Sequence, residues 1–262
     1  MSSTHVNQGD MARLQGRTAL VTGSTSGIGR GIALALAAEG AHVAVSGRDA
    51  ARGAATVEAI RAAGGRADFV LADIGASAAA ARSLAEEATA ILGGRVDILV
   101  NNAGIYPVGP TADVTDETLE ALLAVNIRAP HALVAAIAPA MAAHGGGSII
   151  NIGSWMGSLG IGFSALYGAT KVALEQMSRS WAAEYGPAGV RVNAVAPGVI
   201  LTEGNEGSKD VIAQMTASTP AGRVGTPSDI ASAVVFLASD DASFIHAATL
   251  AVDGGILNTA SH

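Results

Sequence analysis

The sequence predicts an α/β fold built on one doubly wound, seven-stranded parallel sheet with helices on both faces. Three observations predict it. Short β-branched runs alternate with longer alanine-rich stretches along the chain, the order in which right-handed crossover units are assembled. The strand cores are apolar, as in strands covered on both faces. Half of the 262 residues are hydrophobic and only 14% are charged, enough for one large core, and at 3% aromatic that core must be aliphatic. No repeat, low-complexity tract or linker divides the chain, so a single domain is expected over residues 13–262.

Residues 1–12 read as a flexible leader, since the stretch from Met1 to Gly16 is polar and has no apolar run of a secretory signal. Residues 18–22 form the first strand and 28–39 the first helix, stopped by Gly40. Residues 42–46 form the second strand, and the helix after it runs to about Ala63 before Gly64 and Gly65 close it. The third strand is 67–72, a helix covers 76–92, and the fourth strand is 97–100. A long helical region spans 116–143, with an interruption expected near Pro130 and a stop at Gly145–Gly147. Residues 148–152 and 190–195 are the fifth and sixth strands, separated by a helix over 165–185. A helix over 228–238 leads to a seventh strand at 249–252. The apolar part of the long helix, 132–143, contains Pro139 and is too short to span a bilayer, so no membrane partner is expected.

A net charge of −7 without any Lys/Arg cluster argues against nucleic acid as a partner. Cysteine is absent, which excludes disulfides, thiol catalysis and cysteine-ligated metals and fits a reducing cytoplasm. The six histidines are scattered without an H-E-x-x-H pattern, so no metal site is expected.

Two local patterns carry chemistry. Between the first strand and first helix lies Thr22-Gly23-Ser24-Thr25-Ser26-Gly27-Ile28-Gly29. Glycines there permit a tight turn and close backbone approach, and the helix N-terminus offers free N–H groups to a pyrophosphate. No Gly-Lys-Ser/Thr follows, so this is not a P-loop, and the context points to a dinucleotide. At the end of the second strand, Gly47 leaves space and Arg48 has the charge to pair with a ribose 2′-phosphate. That favours NADP(H) and leaves NAD(H) possible; the plainer reading of Arg48 is a solvated residue opening a loop, and Asp49 weakens the local positive potential.

The second pattern is Tyr167-Gly168-Ala169-Thr170-Lys171, which joins one of three tyrosines to one of two lysines. At i and i+4 on a helix the two are neighbours, and a cation there favours the phenolate. A tyrosine so assisted is a usable acid or base near neutrality. Taken alone, the pair is equally a polar contact on a helix surface.

Joined by Asn101-Asn102-Ala103-Gly104 after the fourth strand, by Ser154 after the fifth, by Pro197–Thr202 and by Val252–Gly255, these motifs resemble the short-chain dehydrogenase/reductase family over about residues 14–257. The likeness is to its one-domain, Rossmann-type form, as in β-ketoacyl carrier-protein reductases. It implies an oxidoreductase in which Tyr167 is the general acid or base, Lys171 lowers its pKa and holds the nicotinamide ribose, and Ser154 hydrogen-bonds the substrate oxygen. Asn126 would hold a water linking Lys171 to solvent. Cofactor contacts are implied for Gly23, Ser24, Thr25, Ser26, Gly27, Ile28 and Gly29, and for Asn101, Ala103 and Gly104 on the adenosine side. Asp73 and Ile74 would touch the adenine edge, although Asp73 equally suits the cap of the next helix. Pro197, Gly198, Ile200 and Thr202 would clamp the nicotinamide and phosphates. Tyr106, Trp155, Met156, Phe163 and Met215 are the expected substrate pocket, and residues 203–219 resemble a substrate lid. A moderately apolar ketone or secondary alcohol, such as a β-ketoacyl thioester, suits that wall. The alternatives are NAD-dependent oxidation of an alcohol or sugar on the same scaffold and a nucleotide-sensing protein that uses the fold without chemistry. The resemblance also implies a homotetramer, with the alanine-rich faces of 132–143 and 164–181 either at the interface or against the chain's own sheet.

Overall fold

The computed structural model describes residues 12–257 and 259, so the expected leader lies outside the described residues except for Ala12. Among the described residues seven strands form one parallel sheet in the order β3-β2-β1-β4-β5-β6-β7. They are β1 (Thr18–Val21), β2 (His42–Gly47), β3 (Arg66–Leu71), β4 (Ile98–Asn101), β5 (Gly147–Ile152), β6 (Val190–Pro197) and β7 (Thr249–Val252). The helices are α1 (Gly27–Ala38), α2 (Ala50–Ala62), α3 (Ala78–Ile91), α4 (Asp116–Leu123), α5 (Ala129–Ala143), α6 (Ala165–Tyr185), α7 (Lys209–Thr216) and α8 (Pro227–Ala238).

Strand alternation sorts the core into two layers. Ala19 and Val21, Val43 and Val45, and Ile98 and Val100 point to the side covered by α1, α2 and α8. Leu20, Ala44, Leu99 and Ile149 point to the side covered by α3, α5 and α6. Burial on both faces explains why the strand cores read as apolar.

Glycine ends the early helices by a specific device. After α1, Gly40 takes φ 91°. Its N–H reaches Ala37 O at 3.0 Å, and Ala41 N–H reaches Leu36 O at 3.1 Å. This pair of reversed bonds is a Schellman close, and only glycine adopts that φ without strain.

The interruption expected near Pro130 is a π-helical turn just before it, over Ala124–Arg128. Pro130 has no N–H for the Asn126 carbonyl and its ring crowds that position, so the wider turn forms there while Pro130 sits in the first turn of α5. The helix is therefore continuous over Asp116–Ala143, 28 residues, long and apolar enough to cross a bilayer by length and composition. That corrects the reading based on residues 132–143 alone. Yet 56% of its most apolar window is buried in the fold, and Leu122, Leu133, Val134, Ile137 and Met141 are all core residues. It serves as a core helix.

Candidate active site

The glycine turn lies at the carboxyl edge of the sheet, beside the point between β1 and β4 where the strand order reverses. Gly23 and Gly27 hold φ of 63° and 51°. A Cβ on Gly23 would come within 2.9 Å of Ala103 Cα, so the turn packs directly on the loop after β4. Asn102, which the sequence reading passed over, fastens the two: its Nδ2 donates to Thr22 O (2.9 Å) and Gly23 O (3.1 Å). Thr22 Oγ1 in turn accepts from Asn102 N (3.1 Å) and Ala103 N (3.0 Å). Ser26 caps α1 in position only, making no side-chain cap bond, so the first-turn N–H groups of Gly27, Ile28 and Gly29 are not satisfied by their own cap. That arrangement fits an anionic dinucleotide.

Several expected cofactor contacts have other duties. Ser24 is fully buried and turned inward, donating to Val21 O at 2.7 Å and accepting from Ser46 N at 2.9 Å, so it ties the turn to β2. Asn101 is buried as well; its Nδ2 donates to Asn151 Oδ1 (2.8 Å), whose own Nδ2 donates to Ser178 Oγ (2.7 Å). Its side chain braces β4, β5 and α6. Gly47 leaves no open space, because a Cβ there would lie 2.6 Å from Thr25 Cγ2. Arg48 is exposed. Asp49 is occupied as the N-cap of α2, accepting from Arg52 N (3.0 Å) and Arg52 Nε (2.7 Å), so it does not oppose Arg48 as expected. Asp73 is exposed and accepts from Gly75 N at 3.1 Å, while Ser77 caps α3, which removes the capping alternative for Asp73. Ile74 is buried beside it. On the far side, Pro197 ends β6, Gly198 N–H bonds Val252 O at 3.0 Å, and Ile200 is buried with its side chain beneath Gly225. Thr202 reaches over the turn, its Cγ2 lying 3.3 Å from where a Gly27 Cβ would be.

The proposed catalytic groups converge. Ser154 ends the run out of β5, is buried, and its Oγ accepts from Met156 N at 3.2 Å. Tyr167 lies in the first turn of α6; burial pushes its phenol up, and hydrogen bonding to Ser154 pulls it down. Lys171, one turn on, is buried and donates from Nζ to Ile152 O at 2.8 Å. Burial pulls its ammonium down to about 8, against the opposing influence of Glu175. Lys171 Nζ, bonded to the Ile152 carbonyl, stands over the Tyr167 ring at 5.7 Å from its centroid. Gly104 faces this group, since a Cβ on it would lie 3.4 Å from both Lys171 Nζ and Asn126 Oδ1.

Asn126 is buried in the π turn with both amide donors engaged, to Ile105 O (2.9 Å) and Thr170 Oγ1 (3.1 Å). Its Oδ1 accepts from Ile105 N at 3.0 Å. The side chain thus ties the loop after β4 to α6, leaving no donor to hold a water. Glu175 was also passed over: it follows Lys171 on the same face of α6, and its Oε1 is buried without a hydrogen-bond partner. That oxygen presses on Gly153, where a Cβ would come within 2.9 Å. Burial pushes the Glu175 carboxyl up, with Arg179 and Lys171 opposing.

Of the expected pocket, Tyr106 stands edge-on to Tyr167 at 6.5 Å, and Trp155 and Met156 form a short 3-10 turn beside Ser154. Phe163 and Met215 are half exposed on separate segments. The Phe163 carbonyl accepts from Gly109 N at 2.8 Å, joining the loops after β4 and β5. Among the described residues no group of three or more His, Asp or Glu is placed to hold a metal ion.

A family model described as enoyl-(acyl carrier protein) reductase matches residues 23–257. An L-rhamnose 1-dehydrogenase (NAD(P)(+)) of a Sphingomonas strain is 38% identical over 254 residues, covering 94% of this chain and 98% of that one. A solved structure named as a short chain dehydrogenase/reductase family protein is 45% identical with a TM-score of 0.86, covering 94% and 100% of the two chains. Another, from Beutenbergia cavernae, is provisionally named an NAD(P)-dependent gluconate 5-dehydrogenase and holds NADP. It is 42% identical with a TM-score of 0.89, covering 95% and 100%.

Proposed function

Because this chain belongs to the short-chain dehydrogenase/reductase family and is an oxidoreductase of CH–OH groups, we propose that it moves a hydride between NADP(H) and a ketone or secondary alcohol. The observation that carries this reading is the Ser154–Tyr167–Lys171 group, a buried serine whose hydroxyl influences the Tyr167 phenol and a buried lysine one helical turn on, 5.7 Å from the Tyr167 ring centroid.

When bound, the nicotinamide supplies the hydride for reduction or accepts it in oxidation. The chain does the rest. Ser154 and Tyr167 donate to the substrate oxygen and stabilise the charge that develops on it. Tyr167 gives its proton to that oxygen in reduction and takes it back in oxidation. A phenol pushed up by burial is protonated at neutral pH, the form reduction needs. Lys171 supplies positive charge near the phenolate left behind. Asn126 sets the height of Ile105 and, through Thr170, the seat of α6.

Arg48 supports NADP(H): it is exposed at the end of β2 and, among the described residues, has no hydrogen bond or ion pair. The NADP held by the Beutenbergia cavernae relative is consistent with that preference. A second reading, a sugar dehydrogenase using either cofactor, is favoured by that relative's name and by the Sphingomonas L-rhamnose enzyme. Tyr106, Trp155, Met156, Phe163 and Met215 would then face a polyhydroxylated substrate. A homotetramer in the cytoplasm completes the proposal, supported by the uncovered edge strand β7, whose residues are mostly exposed, and by the absence of cysteine.

The test is turnover on a panel of ketones, β-ketoacyl thioesters and sugars with each cofactor, using Tyr167→Phe as control. Loss of about 10²–10⁴ in kcat/KM is expected for the variant with cofactor affinity retained. Equal turnover by Tyr167→Phe would overturn the assignment.

A further inference from the structure

Glu203 places a carboxylate on the N-terminus of α1. Its Oε2 accepts from Gly27 N at 3.0 Å, across 176 positions of sequence. The contact is physically favourable, because the N-terminus of a twelve-residue helix carries unpaired N–H groups and a partial positive charge. α1 has no acidic residue in its own first turn and no side-chain cap from Ser26. By contrast, α4, α7 and α8 each carry an acid of their own there. The anion that α1 lacks arrives from the far side of the site. Among the described residues Glu203 makes no other hydrogen bond and no ion pair.

The arm that delivers it is braced. Thr202 N donates to Asn205 Oδ1 at 2.8 Å, and Asn205 Nδ2 donates to Ile200 O at 2.8 Å. Leu201 N bonds Gly225 O at 2.9 Å. Thr202 lies directly over Gly27. Glu203 is also the first residue of the lid segment, which continues through a 3-10 turn at Glu206–Ser208 into α7.

We propose that Glu203 is an internal stand-in for the cofactor's pyrophosphate, latching the start of the lid to the glycine turn until a dinucleotide displaces it. The inference rests on the dinucleotide reading of that turn. A pyrophosphate bound at the first turn of α1 and the Glu203 carboxylate need the same N–H group and repel each other. Cofactor entry therefore frees residues 203–208 and couples binding of the dinucleotide to movement of the lid.

The experiment uses the full chain without cofactor, labelled with ¹⁵N-glycine, as wild type, Glu203→Gln and Glu203→Ala. The Gly27 amide resonance should move in Glu203→Ala and move less in Glu203→Gln, whose amide oxygen still accepts. Calorimetry with inorganic pyrophosphate, NADPH and NADH should show all three binding about two- to five-fold more tightly to Glu203→Ala. In hydrogen exchange, pyrophosphate should speed exchange in residues 203–208 of the wild type and leave Glu203→Ala unchanged. A Gly27 resonance untouched by Glu203→Ala overturns the latch, even if binding tightens, because tightening alone is what removing any nearby negative charge would do. Exchange in 203–208 that ignores pyrophosphate in the wild type overturns the coupling to the lid. If no dinucleotide binds to any form, the proposed function fails instead, and the Gly27 resonance still decides the contact.

Discussion

Lys171 is where stability and chemistry oppose each other. Burial lowers its ammonium from 10.5 to about 8. Between those values the unfolded chain holds a proton that the native one has lost, so stability gained from this residue rises with pH across that window. Below about 8 the native state carries the full penalty of a buried charge. Lys171→Met should therefore raise stability at pH 7 by on the order of 1–3 kcal/mol in denaturant titration, with the gain shrinking toward pH 10, while turnover falls at least about a hundredfold. Arg48 makes a different prediction: Arg48→Ala should weaken NADPH binding by about tenfold and leave NADH binding unchanged by calorimetry. An unchanged NADPH preference would overturn the cofactor assignment. The rarity and spacing of Tyr167 and Lys171 made them visible in the chain itself. Glu175 was not, because its importance arises only when Gly153 is packed against it. Ser24 and Asn101 show a related limit: a motif names residues but not the direction in which each side chain points, and both side chains point inward.

At the scale of elements, helix stops were legible because a left-handed glycine is a local requirement. Gly40 and Gly64, at φ 91° and 85°, meet it just where the sequence placed them. The π turn was not legible. Pro130 announces a disturbance, but which turn absorbs it depends on what the freed residues can bond to, and Asn126 finds partners on Ile105 and Thr170. Removing them should be costly in a particular way. Asn126→Ala leaves the Ile105 N–H and C=O without their side-chain partner, and a loss of about 1–3 kcal/mol in denaturant titration is expected. Because the loop after β4 also loses its tie to α6, kcat should fall by more than KM rises. A change in KM alone would place Asn126 in substrate binding instead.

For the molecule as a whole, the strand order gathers the glycine turn and Ser154 at one edge of the sheet; the alternation of strands and helices predicted a doubly wound parallel sheet but not the order of its strands. The outer surface was harder to read. Much of the alanine-rich 132–143 stretch packs on the chain's own core, through Ala132, Leu133, Val134, Ile137 and Ala138, whereas His131, Ala135, Ala136 and Ala140 face outward. The alanines themselves do not distinguish the two faces; only Leu133, Val134, Ile137 and Met141, at helical spacing, mark the buried one. The exposed edge is clearer in three dimensions: Phe244 is fully exposed and Leu250 on β7 is 37% exposed. Phe244→Asp should shift the enzyme to a smaller species in sedimentation velocity with its circular dichroism unchanged. An unaltered sedimentation coefficient would remove this edge from the assembly.

The contact between Gly47 and Thr25 constrains how this enzyme can be redesigned. Converting cofactor preference by grafting a carboxylate onto position 47 would drive the new side chain into Thr25, 2.6 Å from its methyl group. Gly47→Asp alone should therefore damage the glycine turn before it rewards NADH, and become tolerable only once position 25 has been made smaller. The two sites form an epistatic pair, so a change of cofactor preference made through position 47 should pass through position 25 first.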